Sequence, residues 1–85
     1  ATDLGRFGIR VNCVAPGFCD APMLHELLNG DTRAEEASRR RIPLGRFGDP
    51  AEIAHAVAFL CSDLARYMTG SVIPVDGGWL ANGGA

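Results

Sequence analysis

The stretch Ile9-Arg10-Val11-Asn12-Cys13-Val14-Ala15-Pro16-Gly17 decides the fold of this chain. Ile9, Val11, Cys13 and Ala15 alternate within a run rich in β-branched residues, which predicts a strand over residues 9–15 with those four on one face. Proline cannot donate to a strand ladder and glycine tolerates positive φ, so Pro16-Gly17 predicts a stop and a change of direction. Outward from there, the next firm signal is Asp49-Pro50-Ala51-Glu52. Asp49 is placed to cap a helix, Pro50 suits its first turn, and Glu52 stands three residues after the cap. Ile53, Val57, Leu60, Cys61 and Leu64 then recur at helical spacing and predict one apolar stripe that must pack on something. A second strand is predicted at Ser71-Val72-Ile73-Pro74-Val75-Asp76, closed by Gly77-Gly78, with Pro74 restricting it to a sheet edge. Strand, helix and strand in this order predict a βαβ unit with parallel strands and a right-handed crossover, hence the α/β class.

Residues 18–48 form a long connection, of the kind that is usually a functional lid or a disordered segment. Two short helices are predicted within it. Pro22–Leu28 has proline at its first position and Asn29-Gly30 as its stop. Thr32–Arg40 begins with Thr32-x-x-Glu35 at capping-box spacing and ends in Arg39, Arg40 and Arg41, which suit the negative end of a helix dipole. That arginine run reads as a solvated helix end or, less directly, as a site for an anionic substrate or partner. Met23, Leu24, Leu27 and Leu28 make one stripe that either buries against the body or lines an apolar substrate pocket.

Ligands of open parallel sheets bind beyond the carboxyl ends of the strands, where Pro16-Gly17 falls. The dipeptide reads as an ordinary strand-to-loop turn, or as a place where backbone approaches a flat ligand closely and offers it N–H and C=O groups. Cys19 reads as a small residue beside that crevice, and Trp79 as an anchor for the tail. Ser38, Ser62 and Ser71 lack a Gly-x-Ser-x-Gly frame, and neither His25 nor His55 has a partner at ligand spacing. Nucleophilic and metal catalysis therefore have no support. The pentapeptide Leu4–Gly8 recurs at Leu44–Gly48, but its flanks share nothing and no repeat is inferred.

Composition narrows the partners. The 85 residues carry a net charge of −2, and all eight basic residues are arginines. Such a chain has no electrostatic footprint for nucleic acid. Its longest apolar run, Ala56 to Cys61, is too short for a bilayer. Three cysteines without Cys-x-x-Cys spacing imply neither a disulfide framework nor a zinc knuckle, and fit a reducing, cytoplasmic setting. A start without initiator methionine or signal peptide predicts that the chain begins inside a longer protein. Two strands and one long helix leave a sheet face bare, so the chain reads as a piece of a larger sheet.

The run Gly8–Gly17 strongly resembles a short-chain dehydrogenase/reductase of the classical type. So do the series Pro43–Ala54, then Phe59-Leu60-Cys61-Ser62-Asp63, then Thr69-Gly70 and Val75-Asp76-Gly77-Gly78. The resemblance implies the C-terminal part of a Rossmann-type doubly wound parallel sheet over residues 1–85: its last two strands, substrate loop and final helix. It implies NAD or NADP as cofactor and hydride transfer between nicotinamide and a carbonyl or secondary alcohol. Pro16, Gly17, Phe18 and Cys19 match positions lying against the nicotinamide, with Cys19 bonding its carboxamide. Ala21 stands where the family commonly has a threonine that touches the cofactor, so that hydroxyl is missing. Met23, Leu24, Leu27 and Leu28 match the variable substrate loop. Last helix and last strand commonly pack against other copies, which implies a homotetramer or homodimer. The family's glycine-rich first turn and its catalytic serine and Tyr-x-x-x-Lys are not matched in these 85 residues, so no catalytic residue is assigned. A catalytically inactive binding or structural module of the same family is the alternative.

Overall fold

A computed structural model describes residues 1–82. After a short turn at Gly5–Phe7 come strand β1 (Cys13–Pro16), helices α1 (Pro22–Leu28), α2 (Thr32–Arg41) and α3 (Pro50–Cys61), a turn at Asp63–Ala65, and strand β2 (Val72–Val75). The strands are parallel, with Cys13 opposite Val72 and Pro16 opposite Val75. Helix α3 packs against both. The predicted α/β class and βαβ order are therefore present.

Strand β1 starts later than predicted and runs through Pro16. Its partner offers four residues, so residues ahead of Cys13 have no ladder to join. They are tied to the chain before β2 largely through side chains. The Val11 N–H donates to Thr69 Oγ1 (3.1 Å), the Asn12 amide donates to the Met68 carbonyl (3.0 Å), and the Ser71 N–H donates to Asn12 Oδ1 (3.1 Å). Arg10 adds a bond to the same Met68 carbonyl (3.2 Å). The predicted alternation of burial is absent as well: Ile9, Val11 and Cys13 are exposed, whereas Val14 and Ala15 are half-buried. A face is buried only where a second layer covers it, and α3 reaches only part of this one.

The start of α3 is as predicted. Asp49 accepts from the Ala51 N–H (2.9 Å), and the Asp49 N–H donates to Glu52 Oε1 (2.9 Å), which completes the capping box. Its stripe is corrected. Leu60 is buried and Ile53 half-buried, but Val57 and Cys61 are exposed, and Leu64 lies beyond the helix and is 83% exposed. Ser62 ends the helix and its hydroxyl caps the next turn, which takes Leu64 off the helical face.

Helix α1 has the predicted bounds and stops at Asn29 in the left-handed region. In α2 the cap is Asp31 rather than Thr32, because the Asp31 carboxylate accepts from both Arg33 N–H (3.0 Å) and Ala34 N–H (3.1 Å). The arginine run is not wholly solvated. Arg39 pairs with Glu35 and lies over the Phe47 ring, 5.2 Å from its centre.

The apolar residues buried among those described are Leu24, Ile42, Leu60 and Ala65. Ile42 follows α2 and is pressed by the turn after β2. A Cβ on Gly77 would stand 2.7 Å from Ile42 Cγ2, and one on Gly78 would stand 2.9 Å from Pro43 Cγ. Gly77 also has φ +64°, a conformation that favours glycine.

Arg46 clamps Glu52 through two bonds of 2.7 and 3.0 Å. The Arg46 guanidinium, with the Asp49 N–H, lowers the Glu52 carboxyl from its ordinary 4.5 to about 2. A folded-state value below the unfolded one contributes stability above about pH 4.5 and loses it as pH falls through about 2. Urea midpoints of the wild type and Glu52→Gln should therefore differ at pH 5 and converge toward pH 2. A gap that stays constant across this range would contradict the clamp.

Candidate functional site

At the carboxyl end of β1 the ladder finishes with the Gly17 N–H donating to the Val75 carbonyl (2.9 Å). Gly17 is not among the positive-φ glycines, so the predicted reason for a glycine here is corrected. A Cβ at this position would meet Asp76 Cα at 2.7 Å and Asp76 Cβ at 2.8 Å. The glycine is required because the chain after β2 passes directly against it. Valine at this position would therefore disrupt the protein's own packing whatever its effect on a ligand.

Phe18 follows, edge-on to Trp79 with ring centres 5.0 Å apart and tilted against Phe47 at 6.2 Å. Trp79 is half-buried in this contact. Beyond Phe18 the chain forms one parallel bridge between Cys19 and Gly48. The Gly48 N–H donates to the Phe18 carbonyl (2.8 Å) and the Asp20 N–H donates to the Gly48 carbonyl (2.7 Å). In a parallel bridge one residue pairs through its own N–H and C=O, here Gly48, and the other through the groups that flank it, here Cys19, whose own N–H stays outside the pairing. Among the described residues the Cys19 N–H has no hydrogen-bond partner, while its carbonyl accepts from the Ala21 N–H (2.9 Å).

These residues open onto a groove of about 610 Å³. Pro16, Gly17, Phe18 and Cys19 lie on one side, Ala21 stands at the entry to α1, and Met23, Leu24 and Leu27 form a wall. Facing them on α3 are Pro50, Ile53, Ala54 and Val57. Of the nine residues that the resemblance matches to cofactor or substrate positions, only Leu28, half-buried on α1, stays outside this lining. The leucine-rich stripe divides its duties: Leu24 is buried and fixes the helix, whereas Met23 and Leu27 are 81% and 76% exposed.

Sequence reasoning missed two features. His25 Nε2 lies 2.6 Å from Asp20 Oδ1, an exposed pair that staples α1 to the segment before it. The usable signal was an acid five residues before a histidine across a helix start. The α3 wall was also missed, since Ile53 and Val57 were read only as core. Among the described residues no group of three or more His, Cys, Asp or Glu is arranged to hold a metal, and no helix is long and apolar enough to cross a membrane. Cys13, Cys19 and Cys61 are free thiols.

Residues 1–80 match the family pattern described as "Enoyl-(Acyl carrier protein) reductase". The chain is 50% identical over 78 residues to 3-oxoacyl-[acyl-carrier-protein] reductase FabG of Thermotoga maritima, covering 92% of this chain and 30% of the relative. It is 48% identical over 80 residues to cyclohexanol dehydrogenase of Rhodococcus sp., covering 92% of this chain and 28% of the relative. Among solved structures, an Agrobacterium tumefaciens protein assigned as a 2-deoxy-d-gluconate 3-dehydrogenase, with bound NADP, superposes with a TM-score of 0.87 at 41% identity. That match covers 94% of this chain and 32% of the other. The chain belongs to the short-chain dehydrogenase/reductase family and carries part of its Rossmann-type α/β fold. It spans about a third of the length of these relatives.

Proposed function

We propose that these residues are the C-terminal segment of an NAD(P)-dependent oxidoreductase that interconverts a carbonyl and a secondary alcohol. The segment supplies the nicotinamide-side wall, the substrate lid and an oligomer surface. The observation that supports this reading is that the N–H of Cys19, a residue of the groove lining, has no partner among the described residues. A carboxamide oxygen is a fitting acceptor for it, and the adjoining Pro16-Gly17-Phe18 backbone offers a flat apolar seat. NAD or NADP, when bound, supplies the hydride chemistry at its nicotinamide ring. The work of this chain is to seat that ring, to cover it with Met23, Leu24 and Leu27, and to exclude water. The resemblance leaves proton transfer to residues outside the segment. Exposed Phe59 and Val72 favour burial between copies in a homodimer or homotetramer. Free cysteines fit a cytoplasmic setting.

The test is a titration of the ¹⁵N-labelled full-length protein with NADP(H) and NAD(H). Amide shifts at Gly17, Phe18 and Cys19 are expected with at least one of them; shifts confined to α2 and the turns at Gly5–Phe7 and Asp63–Ala65 would overturn the reading. Ala21→Thr is a gain-of-function companion. Ala21 precedes α1 with extended backbone and makes no side-chain cap. A threonine hydroxyl there is expected to stabilise α1 by about 1 kcal/mol. One added hydrogen bond to the cofactor is expected to tighten its binding roughly fivefold.

A further inference from the structure

We propose that Trp79 is a positioning residue for the cofactor seat: through the ring of Phe18 it fixes the direction in which the Cys19 N–H points. The inference rests on the proposed seat for nicotinamide and adds to it a residue from beyond β2.

The Cys19 N–H belongs to the planar trans peptide unit that also contains the Phe18 carbonyl. In such a unit the carbonyl and the N–H point in opposite directions. Because the Phe18 carbonyl accepts from the Gly48 N–H (2.8 Å), the Cys19 N–H is aimed away from Gly48. One hydrogen bond still lets the unit roll, so both of its ends must be held. After Cys19, the Asp20 N–H donates to the Gly48 carbonyl (2.7 Å), and before Phe18 the Gly17 N–H donates to the Val75 carbonyl (2.9 Å). Phe18 itself is held by its ring. Trp79 meets that ring edge-on with centres 5.0 Å apart, and Phe47 meets it tilted at 6.2 Å. Both separations lie in the range where aromatic pairs attract beyond the area they bury.

Trp79 is itself fixed. Its N–H donates to the Asp76 carbonyl (3.2 Å), and the Asp76 carboxylate accepts from the residues on either side of it, Gly78 (2.9 Å) and Leu80 (3.1 Å). The turn after β2 therefore grips two successive residues of the seat: Gly17 through the Asp76 backbone, and Phe18 through the indole. Phe18 lines the groove of about 610 Å³ and Trp79 does not, so the indole acts through Phe18. A seat that is correctly arranged only part of the time binds with its affinity reduced by that fraction. An edge-on aromatic pair is strong enough to change such a population about fivefold.

In the full-length protein, the dissociation constants of NADPH and NADH would be measured by the fluorescence of the reduced nicotinamide, at a temperature where circular dichroism shows each variant folded. Trp79→Ala is expected to weaken binding about fivefold and to shrink the cofactor-induced shift of the Cys19 amide. Trp79→Phe keeps an aromatic edge and is expected to restore both. A role in stability alone would lower the unfolding midpoint and leave both readouts of the folded protein unmoved, which would overturn the inference. Equal losses in Trp79→Phe and Trp79→Ala would overturn the edge-on ring as the cause. Should Trp79→Ala fail to fold, the wild type supplies the test: its Trp79 indole N–H signal, assigned by its loss in Trp79→Phe, is expected to shift when cofactor binds, and a signal indifferent to bound cofactor overturns the inference while the proposed seat stands. Failure of either cofactor to bind the wild type overturns the seat itself, and this inference with it.

Discussion

Ile42→Ala is expected to lower stability by about 2–5 kcal/mol, the range for truncating a buried aliphatic side chain whose surroundings relax only partly. Ile42 is 3% exposed, and its Cγ2 fills the space that a side chain on Gly77 would occupy. The Leu44 N–H bond to the Gly77 carbonyl (3.1 Å) depends on the same contact. Removing the side chain thus loosens the joint between the end of α2 and the turn after β2. A typical domain has only about 5–15 kcal/mol of stability in all, so this loss is a large share of it. Urea midpoints by circular dichroism, with proteolysis mapped near residues 42–45, provide the measurement. A shift below about 0.5 kcal/mol would mean that the joint is held elsewhere.

Gly17→Val should be comparably damaging, at about 3 kcal/mol, through overpacking against Asp76. Gly17→Ala already places a carbon 2.7 Å from Asp76 Cα, so a smaller loss of the same kind is expected. Asp76 cannot retreat freely. Its carboxylate accepts from the Gly78 N–H (2.9 Å) and the Leu80 N–H (3.1 Å), which shape the turn that presses on Ile42. Cofactor affinity and unfolding midpoint are therefore expected to fall together in both variants. Full stability combined with lost affinity would instead mean that the ligand, and not Asp76, requires a glycine here.

Features encoded by neighbours in sequence were legible. The Asp49-Pro50-x-Glu52 start, the bounds of α1 and the order of the βαβ unit all rest on local chemistry, and the structure has them. Features that depend on what lies across the fold were not. The alternation of Ile9 and Val11 is as regular as that of Cys13 and Ala15, but only the latter pair has a strand opposite. Leu64 continues the period of α3 numerically, yet Ser62 has already ended the helix. Gly17 was recognisable as special, while its reason, Asp76, is remote in sequence. Within the candidate site, residues on the β1 side and on α1 could be nominated from order and resemblance. The opposing wall on α3 required knowing which part of its stripe the short strands leave uncovered.

The pairing of β1 with β2 has a consequence in time. Asn12 and its partner Ser71 are separated by 59 positions. During translation at about 5–20 residues per second, β1 must wait roughly 3–12 s before β2 has even been made. Throughout that interval the side of β1 that is to pair with β2 leaves the ribosome without its partner.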